Sequence, residues 1–199
     1  NNLFIYQQPE IKDLLLELKK YSKNYLYTPT WRDSSSNFIT QAGFNLDLLN
    51  DVMKHKNQVF LFKLHPNTKL NIDIKKYSNI KIIASELDIY PILKNIDCLI
   101  TDYSSIYYDF ILMEGKEIVL FPFDYDNYIT KDRDLAFDFK EYTEGHIVNS
   151  FKELMNFLLK ENYSINLHKL TKIRKTFWES GSYMKNNEYI YKKINEKTQ

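Results

Sequence analysis

The chain is predicted to form a doubly wound α/β domain, a parallel sheet covered by helices on both faces. Two observations lead there. Strand-like runs alternate with helical patterns from Tyr25 to Phe121, and runs such as Val59-Phe60-Leu61-Phe62 are apolar throughout. Strands that are apolar on both faces are buried on both faces, and strands separated by helices are joined in parallel. The 199 residues, 44% hydrophobic and 27% charged, suit one sizeable domain with its own core.

Each element has its own reason. After Pro9, which suits a first helical turn, Ile11, Leu14, Leu15 and Leu18 recur with helical spacing. Tyr25 to Thr28 is a short strand stopped by Pro29, and a polar loop with three consecutive serines runs from Arg32 to Thr40. Leu46, Leu49 and Met53 mark a helix after Asn45, and Val59 to Leu64 is a strand ending at His65-Pro66. Ile80 to Ala84 is a strand, and Ile89 to Ile96 a short helix with Pro91 in its first turn. Cys98 to Thr101 is a strand, Ser104 to Met113 a helix ended by Gly115, and Ile118 to Phe121 a strand. An aromatic, acidic stretch follows Pro122, and then helices at about 151–160, 165–178 and 183–194 close the chain.

Composition excludes several function classes. The 27 Lys and Arg against 26 Asp and Glu leave a net charge of +1, which gives no bulk attraction to nucleic acid. A single cysteine, Cys98, makes neither an internal disulfide nor a multi-cysteine zinc site, and its apolar neighbours make it a core residue. Four glycines cannot spell a G-x-G-x-x-G turn or a P-loop. No apolar run approaches the roughly 20 residues of a membrane span, and the opening Asn-Asn-Leu-Phe is not a signal peptide. An opening without an initiator Met is expected of a fragment of a longer chain. The expected compartment is the cytoplasm.

Ligands of doubly wound folds bind outside the carboxyl ends of the strands. Here those ends carry Pro29–Arg32, His65–Pro66, Ser85–Asp88, Thr101–Ser105 and Pro122–Asp126. In Thr101-Asp102-Tyr103-Ser104-Ser105, hydroxyls and an acid precede a helix. They serve equally as helix caps or as a glycine-free phosphate cradle. His65 is the only histidine at a strand end, placed to donate to a phosphate or to move a proton. Arg32 offers a fork to a phosphate, to Asp33 or to another carboxylate. Arg133 sits in a charged loop, and Trp31, Tyr103 and Tyr125 are candidate stacking faces for a base. Thr30, Glu86 and Asp88 are candidate nucleotide-binding residues. The acids of 124–134 are scattered, and no spacing calls for a metal.

Four segments in this order are familiar: Tyr-Thr-Pro-Thr-Trp-Arg-Asp (27–33), Lys-Leu-His-Pro (63–66), Asp-Ile-Tyr-Pro-Ile-Leu (88–93) and Ile-Thr-Asp-Tyr-Ser-Ser-Ile-Tyr-Tyr-Asp-Phe (100–110). Over roughly residues 25 to 160 the chain resembles the CDP-glycerol:poly(glycerophosphate) glycerophosphotransferases, polymerases and primases of teichoic acid and related capsule synthesis. The resemblance implies a GT-B architecture in which this chain is the Rossmann-like, C-terminal half. It would be a single nucleotide-donor-binding domain over 1–199, with 161–199 a helical extension and the N-terminal acceptor domain absent.

The resemblance also implies the chemistry. An acceptor hydroxyl attacks the β-phosphorus of a CDP-activated polyol, glycerol phosphate first among the candidates, and CMP leaves. His65 matches the family's functional histidine, and Thr101, Asp102, Ser104 and Ser105 match its donor-phosphate motif. Arg32 and Arg133 match phosphate-binding arginines, but Asp134 stands where glycine usually follows the second. No cofactor or metal is expected. The expected partners are the donor and a polymer or lipid-linked acceptor, without nucleic acid. Peripheral association of the intact enzyme with the inner face of the membrane is expected too, with the basic helix carrying Lys169, Lys172, Arg174 and Lys175 as a candidate contact. Two other readings keep the fold, a sugar-nucleotide-dependent glycosyltransferase and a non-catalytic nucleotide-binding module.

Overall fold

The structure, a computed structural model, describes residues 8–35, 37–68, 73–160 and 163–178. Six parallel strands form one sheet in the order β3-β2-β1-β4-β5-β6. In sequence they are β1 (Lys23–Thr28), β2 (Gln58–Lys63), β3 (Ile80–Ile83), β4 (Cys98–Thr101), β5 (Glu117–Leu120) and β6 (His146–Ile147). The chain winds one way from β1 to β3, then returns to the middle and winds the other way from β4. Adjacent strand ends therefore diverge between β1 and β4, where Thr28 lies opposite Thr101.

Helices cover both faces, as expected. Alternate strand residues divide between two cores, as the two-residue period of a pleated strand requires. Tyr25, Tyr27, Phe60, Phe62, Cys98 and Ile100 pack against α3 (Leu46–His55) and α7 (Phe151–Lys160). Leu26, Val59, Leu61 and Leu99 face α1 (Pro9–Leu18), α4 (Ile106–Phe110) and α8 (Leu167–Phe177). The helix starts agree with the local sequence. Pro9 opens α1, while Asn45 and Asn166 cap α3 and α8 by accepting from Leu48 N and Lys169 N.

Several boundaries differ from the sequence reading. The helix expected over 104–113 is the five-residue α4, because Leu112 N and Met113 N bond three residues back and tighten its end into a turn. The helix expected over 89–96 is a 3₁₀ helix, Tyr90–Asn95. The polar loop hides α2 (Phe38–Gln41), and a 3₁₀ turn spans Ile74–Lys76. The aromatic, acidic stretch folds into α5 (Tyr125–Lys131) and α6 (Phe139–Tyr142), and then the two-residue β6. These pieces are too short to show a period. β6 exists only through its pairing with Val119 and Leu120, and a side chain on nearby Gly145 would meet the Ile118 carbonyl at 2.8 Å. The helix expected over 183–194 lies outside the described residues.

Candidate functional site

The loops after β1 and β4 leave the sheet at the point where strand order reverses, the place where an open α/β sheet forms a crevice. Pro29, which has no N–H to donate to the ladder, follows the last residue of β1, and Asp102 follows the last residue of β4. The two loops are tied together at once. Asp102 Oδ1 accepts from Thr30 N at 2.8 Å, Thr30 Oγ1 at 2.7 Å and Tyr103 N at 2.6 Å. Its other oxygen, Oδ2, lies 2.7 Å from Arg32 Nη1 in an ion pair whose partners are both essentially buried.

Arg32 reaches further, to the loop after β5. Its Nε and Nη2 donate to the two oxygens of Asp124 at 2.8 and 2.7 Å, and its Nη1 also donates to the Thr30 carbonyl. The guanidinium carbon stands 5.2 Å from the Tyr103 ring centroid and 5.0 Å from that of Tyr128. Burial by itself would lower the Arg32 pKa, but the two carboxylates outweigh it and hold it above its ordinary value. Arg32 is 1% exposed, so its fork is spent on carboxylates. The expectation that it meets a donor phosphate does not fit this geometry, whereas the carboxylate alternative describes it.

Two more members of the expected phosphate set lie inside the fold. Thr101 is fully buried and its hydroxyl donates to the Thr28 carbonyl at 2.7 Å, and Asp102 is 1% exposed. Neither Asp102 nor Ser104 caps α4. Its cap residue is Ser105, with no side-chain bond to the helix. Ser104 is half-buried and Ser105 exposed, and neither hydroxyl bonds to a described residue. Both line a cavity of about 450 Å³ together with Asp109, Tyr108 and Phe137.

His65 is exposed on the turn that follows β2. Its Nδ1 accepts from Asn67 N at 3.2 Å, which leaves Nε2 for a ligand. The imidazole packs beside Trp31, ring centroids 5.1 Å apart. Trp31 is held in turn, since its Nε1 donates to Asp33 Oδ1 at 2.9 Å and Arg133 Nε donates to Asp33 Oδ2 at 3.0 Å. Arg133 is thus exposed but paired, and lowers the Asp33 pKa. Of the stacking candidates, Tyr103 is already stacked on Tyr128 at 4.1 Å, whereas Trp31 and Tyr125 are both half-buried, Trp31 beside His65 and Tyr125 beside Phe139.

Glu86 and Asp88 stand on the exposed loop after β3, two strands from the switch point. Asp88 Oδ1 accepts from Tyr90 N, the first residue of the 3₁₀ helix, and Tyr90 Oη donates to Asp109 Oδ2 at 2.6 Å, joining that loop to α4. Sequence reasoning passed over Asp124, which pairs with an arginine 92 residues away. It also passed over Lys63, whose Nζ donates to the carbonyls of Ala84, Ser85 and Leu87 at 2.7, 2.7 and 2.8 Å. For Asp124 the one available signal was its place at a strand end. In the basic helix α8, Lys169 is bound to Glu144 and the Lys140 carbonyl, and Arg174 to the Ile111 carbonyl. Among the described residues no helix is long and apolar enough to cross a membrane.

The family described as CDP-Glycerol:Poly(glycerophosphate) glycerophosphotransferase matches residues 7–197. The chain is 34% identical over 155 residues to the teichoic acid ribitol-phosphate polymerase TarK of Staphylococcus aureus, covering 75% of this chain and 30% of that one. It is 33% identical over 134 residues to the teichoic acid glycerol-phosphate primase of Bacillus subtilis, 67% of this chain and 34% of the other. The solved wall teichoic acid polymerase TagF superposes with a TM-score of 0.67 at 25% identity, over 96% of this chain and 48% of TagF. The chain thus spans about a third or less of these curated relatives and half of TagF. The matched span takes in nearly the whole sequence, and the chain belongs to the CDP-glycerol:poly(glycerophosphate) glycerophosphotransferase family.

Proposed function

We propose that this chain is the donor-binding part of a transferase that moves a polyol phosphate, glycerol or ribitol, from a CDP-activated donor to a hydroxyl of a growing teichoic acid. The observation that carries the reading is the turn Tyr103-Ser104-Ser105 at the switch point, where two hydroxyls unengaged by described residues border a cavity large enough for a nucleotide. Family membership supports it, and a TagF structure soaked with CDPG supports a CDP-linked donor. The relatives carry glycerol and ribitol alike, so both polyols belong to the reading.

In the transfer, the acceptor hydroxyl oxygen bonds to the β-phosphorus while the bond from that phosphorus to the bridging oxygen breaks; CMP leaves with the electron pair, and the hydroxyl proton is released to solvent. Such a step needs charge stabilised on the leaving phosphate and exact alignment, rather than a protein nucleophile. With the Arg32 charge cancelled by Asp102 and Asp124, the stabilising groups are the Ser104 and Ser105 hydroxyls and the His65 imidazole. A metal is not called for by these groups. The acceptor, lipid-linked or polymeric, and the inner membrane face belong to the intact enzyme.

Calorimetric titration with CDP-glycerol, CDP-ribitol, CMP and UDP-glucose tests the reading. A CDP-polyol is expected to bind, and Ser104→Ala to weaken it about tenfold, the worth of one hydrogen bond to a charged group. Preferential binding of UDP-glucose would move the chain to glycosyl transfer. Binding that survives both Ser104→Ala and His65→Ala would leave a non-catalytic module.

A further inference from the structure

We propose that the buried triad Arg32, Asp102 and Asp124 is a positioning device that holds the two sides of the donor site in register, with Arg32 acting through its neighbours and not on the phosphate. The proposal rests on the donor-site reading above and adds to it what aligns the site.

The triad joins three separate loops. Arg32 belongs to the loop after β1, Asp102 to the turn after β4 and Asp124 to the start of α5. Each bond is of a kind that fixes direction as well as distance. Arg32 presents a planar fork, and two of its nitrogens meet the two oxygens of one carboxylate. A buried pair of this kind adds little net stability, because desolvation offsets the attraction, so what it contributes here is the geometry it imposes.

What flanks the triad shows that geometry. On one side stands Tyr103, the residue before Ser104, and it is gripped three ways. Its N–H donates to Asp102 Oδ1, its hydroxyl donates to Asp124 Oδ1 at 3.3 Å, and its ring faces the Arg32 guanidinium. On the other side stands Trp31, the residue before Arg32, whose ring packs on His65. Thr30, just before it, is fixed to Asp102 by both its N–H and its hydroxyl. One ionic cluster therefore ties the backbone just before Ser104 to the backbone beside His65. In the donor-site reading, a phosphate that meets both groups finds their separation set by Arg32.

The test uses Asp124→Asn, chosen because Asp124 is the least buried of the three, and Arg32→Lys, which keeps the charge and loses the fork. Amide hydrogen exchange comes first and needs no ligand. The Thr30 and Tyr103 amides are expected to exchange at least tenfold faster in both variants, while those of Leu26 and Leu99 in the strands stay as in the parent. Unchanged exchange at Thr30 and Tyr103 overturns the proposal. CDP-polyol titration comes second, in parent and Ser104→Ala backgrounds. Each triad variant is expected to weaken binding at least fivefold in the parent and less than twofold once Ser104 is gone, because what it positions is then missing. Equal losses in both backgrounds would mean that Arg32 touches the donor directly, and would overturn the proposal. Absence of CDP-polyol binding by the parent chain defeats the donor reading instead, and the exchange measurement still decides whether the triad fixes the loops.

Discussion

Thr101 Oγ1 donates a 2.7 Å hydrogen bond to the carbonyl of Thr28, its partner in register across β1 and β4. The bond closes the two central strands at their carboxyl ends, directly beneath the loops that form the site. Since Thr101 is fully buried, the hydroxyl that the motif offers to a phosphate is already committed to the sheet. Thr101→Val keeps the shape and strands a buried carbonyl. It is expected to cost about 1–3 kcal/mol of stability and to leave CDP-polyol affinity within about twofold of the parent. Urea unfolding and calorimetry, run side by side, check both halves. A large loss of affinity at unchanged stability would return the hydroxyl to the donor.

Alkaline pH should unfold the chain steeply. Burial pushes the Tyr163 hydroxyl up to about 12, against the opposing pull of the Ile118 N–H that it accepts. Tyr27, Tyr103 and Tyr107 are also raised by burial. A phenol whose folded pKa exceeds its unfolded value of 10.0 gives its full contribution below that value. As pH rises from there toward the folded pKa, the unfolded chain loses a proton that the folded one keeps, and stability falls by about 1.4 kcal/mol per pH unit for each such group. Unfolding midpoints measured between pH 8 and 11.5 should begin to fall near pH 9, the unfolded value of the Cys98 thiol that burial also pushes up, and drop more steeply above pH 10. Tyr163→Phe should make the decline shallower by about one proton's worth. Tyr90, also pushed up to about 12 by its bond to Asp109, is more than half exposed, and solvent screens its share.

The sheet was legible because each long strand is apolar on both faces, and its parallel, doubly wound character followed from the helices between the strands. Ser104, Ser105 and His65 were legible because strand ends are where such folds place ligands, and they carry open side chains there. What the sequence left hidden depends on distance along the chain. Nothing near Arg32 shows that its partners are 70 and 92 residues away, so its fork reads equally well as a phosphate ligand. Burial is hidden in the same way. Thr101 and Ser104 are similar hydroxyl residues three positions apart, and only the packed sheet makes one a structural bond and the other a candidate ligand group. Pieces as short as α6 and β6 take their form from neighbours rather than from any period of their own.

Lys63 offers the sharpest check on the remaining part of the site. It ends β2 beside the His65 turn, and its ammonium is bound by three carbonyls of the loop that carries Glu86 and Asp88. Burial lowers its pKa, the sign of a cation drawn partly out of water, and Glu86 and Asp88 push the other way. The three carbonyls converge on one point and accept from a single charged donor, so the loop has no equivalent arrangement without it. Lys63→Met retains the aliphatic stem and removes the donor. It is expected to lower stability by about 1–3 kcal/mol, the range for losing a charged hydrogen-bonding group. If Glu86 and Asp88 hold the nucleotide, affinity for CDP-polyol and for CMP should fall together, since both carry the same nucleoside. Glu86→Gln and Asp88→Asn would then reproduce the loss without the loss of stability. Full affinity in Lys63→Met, with stability reduced as expected, would leave that loop outside the donor site and confine the nucleotide to the cavity beside Ser104 and Asp109.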